Sequence, residues 1–359
     1  MYNVLPLYHS SGGICAVGVA FTAGGALVLR RKFSVNEFWD DCWHYKPTLF
    51  QYIGELCRYL LNAPHNPHER DHNLRAITGN GLRPEIWPAF QKRFAIPRIV
   101  EFYGATEGNV SMLNYDGKVG AVGRIPSYLR NVLTTRIVRF DIDHEMPVRN
   151  GAGFCIECEP DEVGEAVGKI THEPGKDFEG YTRAGDTEKK ILRDVFEKGD
   201  AWFRTGDLMK HDALGYFYFV DRIGDTFRWK GENVATSEVS DVLANFPGVS
   251  EATVYGVHVP GAEGRAGMAS LVVEDGFDIK ALSEHIDAAL PAYARPLFLR
   301  LSKSIETTGT FKYRKADLVA AGFDPAKTRC PTYFRNPDKG YVKITKSVFD
   351  KLEAGAFKL

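Results

Sequence analysis

The sequence predicts an α/β fold in which α/β layers and a small β region precede a separate, small α+β domain. Residues 1–120 alternate helical and strand-like stretches punctuated by Gly and Pro, and residues 120–221 are dominated by strand-and-turn units. Helices and strands alternate again after that. A chain of 359 residues is long enough to bury two cores. We therefore predict two domains, 1–223 and 224–359.

In the first region, the hydrophobic spacing of residues 36–43 predicts a helix with a start signal at Ser34. Residues 48–61 are predicted to be helical as well. Short apolar stretches at 76–78 and 99–102 predict strands that end at Gly-bearing turns. This pattern is typical of α/β layers, which display polar residues where strands end.

The later regions carry their own signals. Residues 215–221 form an aromatic stretch between turn signals, which predicts a strand of the β region. The C-terminal region contains alternating helical and strand-like stretches, which indicate an α+β unit: helices at 237–245 and 279–290, and strands at 251–257 and 268–274.

Residues 12–29 are uncharged over 18 positions and are followed by Arg30, Arg31 and Lys32. A membrane-spanning helix with a basic flank is one interpretation of this pattern. Five glycines interrupt the stretch, so we favour a buried helix, a turn at Gly24–Gly25 and a strand at 26–29. The basic residues follow the apolar stretch, which disfavours a signal peptide.

Composition sets limits on function. The formal net charge of -1 gives no electrostatic reason to expect nucleic acid as a partner. The six cysteines are predicted to be free thiols in a reducing cytoplasm, since Cys155 and Cys158 point to opposite faces of a strand and lack a second pair. A metal site is the alternative there, and also at His65, His68 and His72, where Pro64 and Pro67 break any helix and favour a solvated loop.

The segment 101–108, Glu-Phe-Tyr-Gly-Ala-Thr-Glu-Gly, places an aromatic ring, a hydroxyl and a carboxylate just after a predicted strand. Tyr103 can stack on a flat base, Thr106 can bond a phosphate oxygen, and Glu107 can hold Mg²⁺. A polar turn after a buried strand is the alternative interpretation.

Two further segments carry polar candidates. Asp207 follows Gly206 in a predicted tight turn, where its carboxylate could accept hydrogen bonds from the two hydroxyls of a ribose or serve the turn alone. Residues 221–233 are dense in charge, which suits a solvated surface. Gly224 and Gly231 within them would also suit an interdomain hinge.

Lys312 follows a segment of hydroxyl residues and Gly at 306–311. This segment does not match the phosphate-binding pattern G-x-x-x-x-G-K-[ST], and no other segment of the chain does. A solvent-exposed lysine is the ordinary interpretation. As a functional residue, Lys312 would be a mobile cation for charge that develops on a carboxylate or phosphate.

In their order and combination, these motifs resemble the adenylate-forming superfamily of acyl-CoA synthetases, adenylation domains and luciferases. Within it, the chain resembles the branch of fatty acid transport proteins and very-long-chain acyl-CoA synthetases, to which the stretch 227–234 points specifically. The resemblance covers essentially the whole chain, through segments 5–9 (Leu-Pro-Leu-Tyr-His), 79–84, 103–108, 120–124, 204–207, 221–222 and 308–312.

The resemblance implies a role for each matching residue. Tyr103 would stack on adenine, and the turns around it would edge the base and the α-phosphate: Gly79, Asn80, Gly81, Gly104 and Thr106. Asp207 and Arg222 would hold the ribose, and Glu107 would ligate Mg²⁺. His9 would lie beside the acyl carboxylate, Lys312 would bridge that carboxylate and the α-phosphate, and Gly231 would line the pantetheine path after rotation about Gly224.

The implied activity is that of an AMP-forming fatty acid–CoA ligase, which uses a long-chain or very-long-chain fatty acid, ATP with Mg²⁺, and CoA. The family's Ser/Thr/Gly-rich phosphate-binding loop normally precedes the segment 5–9, so we expect the N-terminal portion with this loop to be missing here. The alternatives are a non-catalytic fragment that retains partial nucleotide or acyl-adenylate binding, and a fatty-acid uptake protein. The tail 331–359, with six Lys/Arg against three Asp/Glu, is compatible with a cytoplasmic protein peripheral to a membrane.

Overall fold

A computed structural model describes residues 1–105, 108–142, 144–171, 178, 180, 183–307, 313–337 and 339–357. Packing groups the chain into two compact units. The first comprises residues 1–139, 147–205 and 209–219, and the second comprises 140–146, 206–208 and 220–359. Among the described residues, no helix is both long and apolar enough to span a bilayer.

The first unit begins with a sheet of six strands in the order β2-β1-β3-β4-β5-β6. Its first five strands run parallel and β6 is antiparallel to β5. Polar turns at the carboxyl ends of the parallel strands therefore share one edge of the sheet. The strands are β1 (Tyr2–Asn3), β2 (Val28–Leu29), β3 (Leu49–Ile53), β4 (Ala76–Asn80), β5 (Ile99–Gly104) and β6 (Ser111–Asn114).

Helices accompany this sheet: a π-helical turn at Ser11–Ala16, α1 (Val17–Thr22), α2 (Phe38–Tyr45), α3 (Gly54–Asn62) and α4 (Trp87–Phe94). The predicted helix at 36–43 is confirmed by α2, and the predicted strands are confirmed by β4 and β5. The predicted helix at 48–61 is wrong over its first part, because Leu49–Ile53 is a strand between β1 and β4. Phe50 and Tyr52 are completely buried there, and aromatic residues fit such a pleated, enclosed position.

Residues 12–29 form the predicted sequence of helix, turn and strand. The prediction that this segment is buried is wrong for its large side chains, since Ile14 is 71% exposed and Phe21 is 69% exposed. Small residues of the helical part, such as Ala16 and Ala20, are the ones that face the interior. Hydropathy reflects the composition of a segment, and it does not show whether other parts of the chain cover the apolar side chains of that segment.

The predicted β region forms a second sheet of the described residues, in the order β7-β13-β12-β10-β8-β9, with β11 paired to β12. A 3₁₀ turn at Ser127–Leu129 and the helix α5 (Ala184–Lys189) accompany it. The strands are β7 (Gly123–Arg124), β8 (Thr135–Asp141), β9 (Met146–Pro147), β10 (Gly164–Lys169), β11 (Ile191–Arg193), β12 (Ala201–His211) and β13 (Tyr216–Arg222).

The second unit confirms the predicted alternation of helices and strands. A hairpin precedes a sheet in the order β16-β17-β18-β19-β20, and the core lies between this sheet and helices that include α6 and α7. Its elements are β14 (Phe227–Trp229), β15 (Glu232–Val234), α6 (Thr236–Ala244), β16 (Val249–Val257), β17 (Ala266–Val273), α7 (Ile279–Ala289), β18 (Phe298–Ser302), α8 (Lys315–Ala321), α9 (Pro325–Thr328), β19 (Thr332–Asn336), β20 (Gly340–Lys343) and α10 (Lys346–Glu353).

Candidate active site

Several predicted site residues of the first unit follow the carboxyl ends of parallel strands. His9 lies in the turn after β1, Gly79 and Asn80 end β4, and Tyr103 lies near the end of β5. In the register, Tyr52 pairs with Gly79, and Gly79 pairs with Glu101. The structure thus places these residues at one edge of the first sheet, where open α/β sheets bind ligands.

Close backbone packing requires the glycines at this edge. A Cβ atom on Gly79 would lie 2.2 Å from the carbonyl oxygen of Tyr52 and 2.7 Å from the Tyr52 ring. A Cβ atom on Gly54 would lie 1.7 Å from the carbonyl oxygen of Gly81. Gly81 also has a φ of 79°, which favours glycine. The turn therefore presents bare backbone, to which a flat ring can come close.

The buried carboxyl group of Glu101 fixes this turn. Glu101, which is 2% exposed, accepts hydrogen bonds from the Tyr52 hydroxyl and from the Leu82 amide at 3.1 Å, and also from the Gly81 amide. Burial raises the pKa of Glu101 to about 8, although these donors oppose the shift. In the sequence, Glu101 is only the first residue of the segment 101–108 and is not among the predicted site residues. Its partners come from two other strands' ends, so no local signal could have assigned its role.

Asn80 adds an unsatisfied acceptor next to the same turn. Its side-chain Oδ1 is buried and has no hydrogen-bond partner among the described residues. Leaving such an atom unpaired typically costs about 1–3 kcal/mol. A ligand that donates a hydrogen bond to Asn80 would recover this energy. The bare glycine edge and this acceptor together fit a nucleobase.

The ring of His9 has a defined orientation. Its Nδ1 accepts a hydrogen bond from the backbone amide of Ser11 at 3.3 Å. The proton of a neutral imidazole therefore lies on Nε2. This geometry gives His9 a donor with which it can approach a carboxylate.

In the second unit, the structure brings Asp207 and Arg222 together. Arg222 Nε lies 3.4 Å from Asp207 Oδ1, and Asp207 is 6% exposed. Asp207 lies within the strand β12, so the prediction of a tight turn is wrong, although Gly206 before it has a φ of 77°. Ile223 donates its backbone amide to the Gly206 carbonyl at 3.0 Å, which fixes the two segments side by side.

Asp221, which precedes Arg222, is not among the predicted site residues. It is 3% exposed and accepts hydrogen bonds from the backbone amides of Arg222 (2.9 Å) and Thr236 (2.6 Å), and from the hydroxyls of Thr226 and Thr236 (both 3.1 Å). Burial raises the pKa of Asp221. The carboxylate thus joins the end of β13 to the start of α6.

Gly231 lies at the tip of the hairpin β14-β15. Lys230 and Gly231 form its two-residue turn, with φ values of 53° and 82°. Two positive φ angles are typical of a type I′ turn, which matches the twist of paired strands. The turn borders an open cavity of about 470 Å³, which Pro260 and Phe357 also line.

Three predicted site residues, Thr106, Glu107 and Lys312, lie outside the described residues. The residues that flank the segment 308–312 are described. Thr307 and Tyr313 form an antiparallel bridge, and the Arg314 amide donates to the Glu306 carbonyl at 2.9 Å. Residues 306–307 and 313–314, which flank the segment 308–312, are therefore held side by side by backbone hydrogen bonds.

The cysteines and histidines that invited a metal interpretation have other surroundings. All six cysteines are free thiols, as predicted, and burial raises the pKa of Cys158 to about 12. His65 pairs with Glu69, and His72 is within hydrogen-bond distance of the Phe94 carbonyl. Among the described residues, no group of three or more His, Cys, Asp or Glu side chains could hold a metal ion.

Comparisons with known proteins show which families the chain is similar to. Residues 1–153 match the family model of AMP-binding enzymes, and residues 238–312 match the model of the C-terminal domain of AMP-binding enzymes. Mouse long-chain fatty acid transport protein 1 is 47% identical over the whole chain, and mouse long-chain fatty acid transport protein 6 is 45% identical over the whole chain. The chain covers 56% of the first relative and 58% of the second.

Solved structures share the fold. ATP-bound MatB from Rhodopseudomonas palustris aligns with a TM-score of 0.71 and 23% identity, over 89% of this chain and 59% of that one. o-Succinylbenzoate CoA synthetase from Bacillus subtilis, in complex with its acyl-adenylate intermediate, aligns with a TM-score of 0.67 and 23% identity, over 88% of this chain and 60% of that one.

The matches to the two family models place the chain among the AMP-binding enzymes. The chain belongs to the adenylate-forming superfamily, in the branch that contains the long-chain fatty acid transport proteins.

Proposed function

We propose that this chain is part of an ATP-dependent long-chain or very-long-chain fatty acyl-CoA synthetase. The observation that carries the proposal is the 45–47% identity, over the entire chain, to relatives named long-chain fatty acid transport proteins. The glycine edge and the unpaired acceptor of Asn80 support a nucleobase site in the same chain.

In this proposal, Tyr103 stacks on the adenine, and the turn Gly79–Gly81 together with Gly104 edges the base. Asn80 Oδ1 would accept a hydrogen bond from the exocyclic amine of adenine. Asp207, oriented by Arg222, would accept hydrogen bonds from the two ribose hydroxyls. Such charge-assisted bonds each contribute about 1.5–3 kcal/mol.

The proposed reaction has two steps. The fatty acid carboxylate attacks the α-phosphorus of ATP and releases pyrophosphate, which gives an acyl-adenylate. The CoA thiol then loses its proton and attacks the acyl carbon, AMP leaves, and a thioester forms. A free carboxylate is a poor electrophile, so its activation as a mixed anhydride is what makes the second step feasible.

Residues of this chain would supply positioning and charge neutralisation, which account for much of the acceleration in such transfers. Lys312 would bridge the carboxylate and the α-phosphate in the first step. His9 would orient the carboxylate through its Nε2 proton. Thr106 would bind the α-phosphate, and Glu107 would hold the Mg²⁺ that neutralises phosphate charge when it is bound.

The two steps need different surroundings, because Lys312 serves only the first. We propose that residues 224–359 act as a mobile domain that rotates about Gly224 relative to residues 1–223. A Cβ atom on Gly224 would meet nothing within 4 Å, so its surroundings leave the backbone room to change direction. After rotation, Gly231 would line the path of the pantetheine arm of CoA.

The chain spans between 56 and 58% of the length of these relatives, so activity of the chain alone is a separate question. A fragment that binds AMP or acyl-adenylate without turnover is the alternative. Fatty-acid uptake at a membrane surface is a second alternative, supported by the relatives' names and the basic tail 331–359. We place the protein in the cytoplasm, with peripheral membrane contact.

Calorimetry with AMP and ATP, combined with a thioester assay with palmitate, Mg²⁺ and CoA, tests these alternatives on the 359-residue chain. Turnover that is lost in Lys312→Ala and kept in the exposed control Lys339→Ala supports a ligase. AMP binding without turnover supports a fragment. If AMP does not bind, or if thioester synthesis survives Asp207→Ala and Lys312→Ala together, the site assignment is wrong.

A further inference from the structure

Lys315 makes two long-range contacts from the start of α8. Its Nζ donates a hydrogen bond to Asp225 Oδ2 at 2.8 Å and to Thr236 Oγ1 at 3.0 Å. These partners are 90 and 79 residues away in the sequence. The Lys315 side chain is 22% exposed, so this is a partly sheltered ion pair.

Lys315 also follows directly after the paired residues 306–307 and 313–314 that flank the segment 308–312. It comes two residues after Tyr313, which bridges to Thr307, and its own amide lies 3.1 Å from the Tyr313 carbonyl. The Arg314 amide donates to the Glu306 carbonyl. The Lys315 ammonium therefore connects residues 313–315 to the segments that contain Asp225 and Thr236.

Both contacted segments adjoin the proposed hinge. Asp225 follows Gly224 directly, in a turn closed by hydrogen bonds from the Asp225 and Thr226 amides to the Arg222 carbonyl, both at 3.0 Å. Thr236 donates to the buried carboxylate of Asp221, which precedes Arg222. A single ammonium thus lies against Asp225 and, through Thr236, against the network of Asp221.

We propose that Lys315 is a positioning residue that ties the segment containing Lys312 to the hinge turn at Asp225. Through this tie, the described residues 313–315, which follow the Lys312 segment, keep their position relative to the hinge turn at Asp225. In this proposal Lys315 acts through its contacts with Asp225 and Thr236, and not on the substrate itself. This inference rests on the proposed function for its consequence in catalysis, whereas the mechanical tie can be tested separately.

Hydrogen exchange of the 359-residue chain tests the tie directly. In Lys315→Met, which keeps the aliphatic stem, we expect the amides of Arg314, Asp225 and Thr226 to exchange roughly fivefold faster, as loss of a partly exposed ion pair implies. Asp225→Asn should have a similar effect. The control Lys327→Met, which removes the pair of Lys327 with Asp324 in the same unit, should leave these amides unchanged.

Two variants separate the tie from a general effect. Lys315→Arg should keep slow exchange, and the exchanged pair Lys315→Asp with Asp225→Lys should restore part of it. Unchanged exchange in both Lys315→Met and Asp225→Asn would overturn the proposal. A uniform rise over the whole second unit would overturn it as well, because it would indicate a merely structural residue.

The half-reactions give the catalytic readout. In Lys315→Met, exchange of pyrophosphate into ATP should fall at least tenfold, while thioester formation from supplied acyl-adenylate and CoA should stay within about twofold of the parent chain. Equal losses in both half-reactions would overturn the positioning role. If the parent chain performs neither half-reaction, its proposed function fails, and hydrogen exchange alone decides whether the tie exists.

Discussion

Replacing Glu101 with Gln gives the sharpest test of how the turn at residues 79–81, the proposed nucleobase site, is held in place. The folded protein raises the pKa of Glu101 from 4.5 to about 8, because burial removes its carboxyl group from water, and the hydrogen bond from Tyr52 only partly opposes this shift. Between these two values the folded state holds a proton that the unfolded state has lost. The stability of the parent chain must therefore fall as the pH rises from about 5 to 8.

The size of this effect follows from the shift. One pKa unit corresponds to about 1.4 kcal/mol, so the full penalty above pH 8 is on the order of 5 kcal/mol, and about 3 kcal/mol of it is present at pH 7. In Glu101→Gln the neutral amide can still accept from the Leu82 amide and can donate to the Tyr52 hydroxyl. We expect this variant to lose the decline in stability with rising pH.

The assay is urea denaturation between pH 5 and 8.5, followed by tryptophan fluorescence, since four of the five tryptophans lie in the first unit. The difference in unfolding free energy between the variant and the parent should shift in favour of the variant by about 3–5 kcal/mol over this range. Glu159→Gln, at an exposed site, should run parallel to the parent. Parallel curves for Glu101→Gln would refute the reasoning.

Three further predictions follow from the packing and the polar contacts. Gly79→Ala should destabilise the first unit by about 2–3 kcal/mol, because its methyl group would collide with Tyr52. The control Gly151→Ala should be near neutral, because a Cβ atom there would meet nothing within 4 Å, and equal shifts in melting temperature for the two variants would contradict this prediction. Asp221→Asn should destabilise the second unit by about 1–3 kcal/mol in chemical denaturation, because the new amide nitrogen would face hydrogen-bond donors. The exposed control Asp275→Asn should leave stability unchanged, and an Asp221→Asn variant as stable as the parent would count against the network of Asp221. Asp207→Ala should weaken AMP binding in calorimetry by roughly 100-fold or more, because two ribose hydrogen bonds of about 1.5–3 kcal/mol each are lost, and unchanged affinity would remove Asp207 from the site.

The predictions for residues 49–53 and 12–29 are wrong in part for clear physical reasons. Residues 49–53 have an apolar pattern that suits a helix as well as an enclosed strand, and pairing with β1 and β4 decided the matter. Residues 12–29 have the hydropathy of a buried segment, yet Ile14 and Phe21 are exposed in the described structure. Local pattern cannot include a neighbour that is distant in sequence.

The superfamily and its branch can be recognised from the sequence alone, because short motifs in a fixed order, from His9 to Lys312, are properties of the chain and do not depend on how it folds. The sequence also determined the alternation of helices and strands in the second unit, since those elements are long and periodic. Three contacts become visible only in the folded chain: Glu101 fixes the turn at Gly81, Asp221 joins β13 to α6, and Lys315 contacts Asp225. Each of these contacts joins residues that lie 15 to 90 positions apart, and such pairs are chosen by the packing of the whole fold.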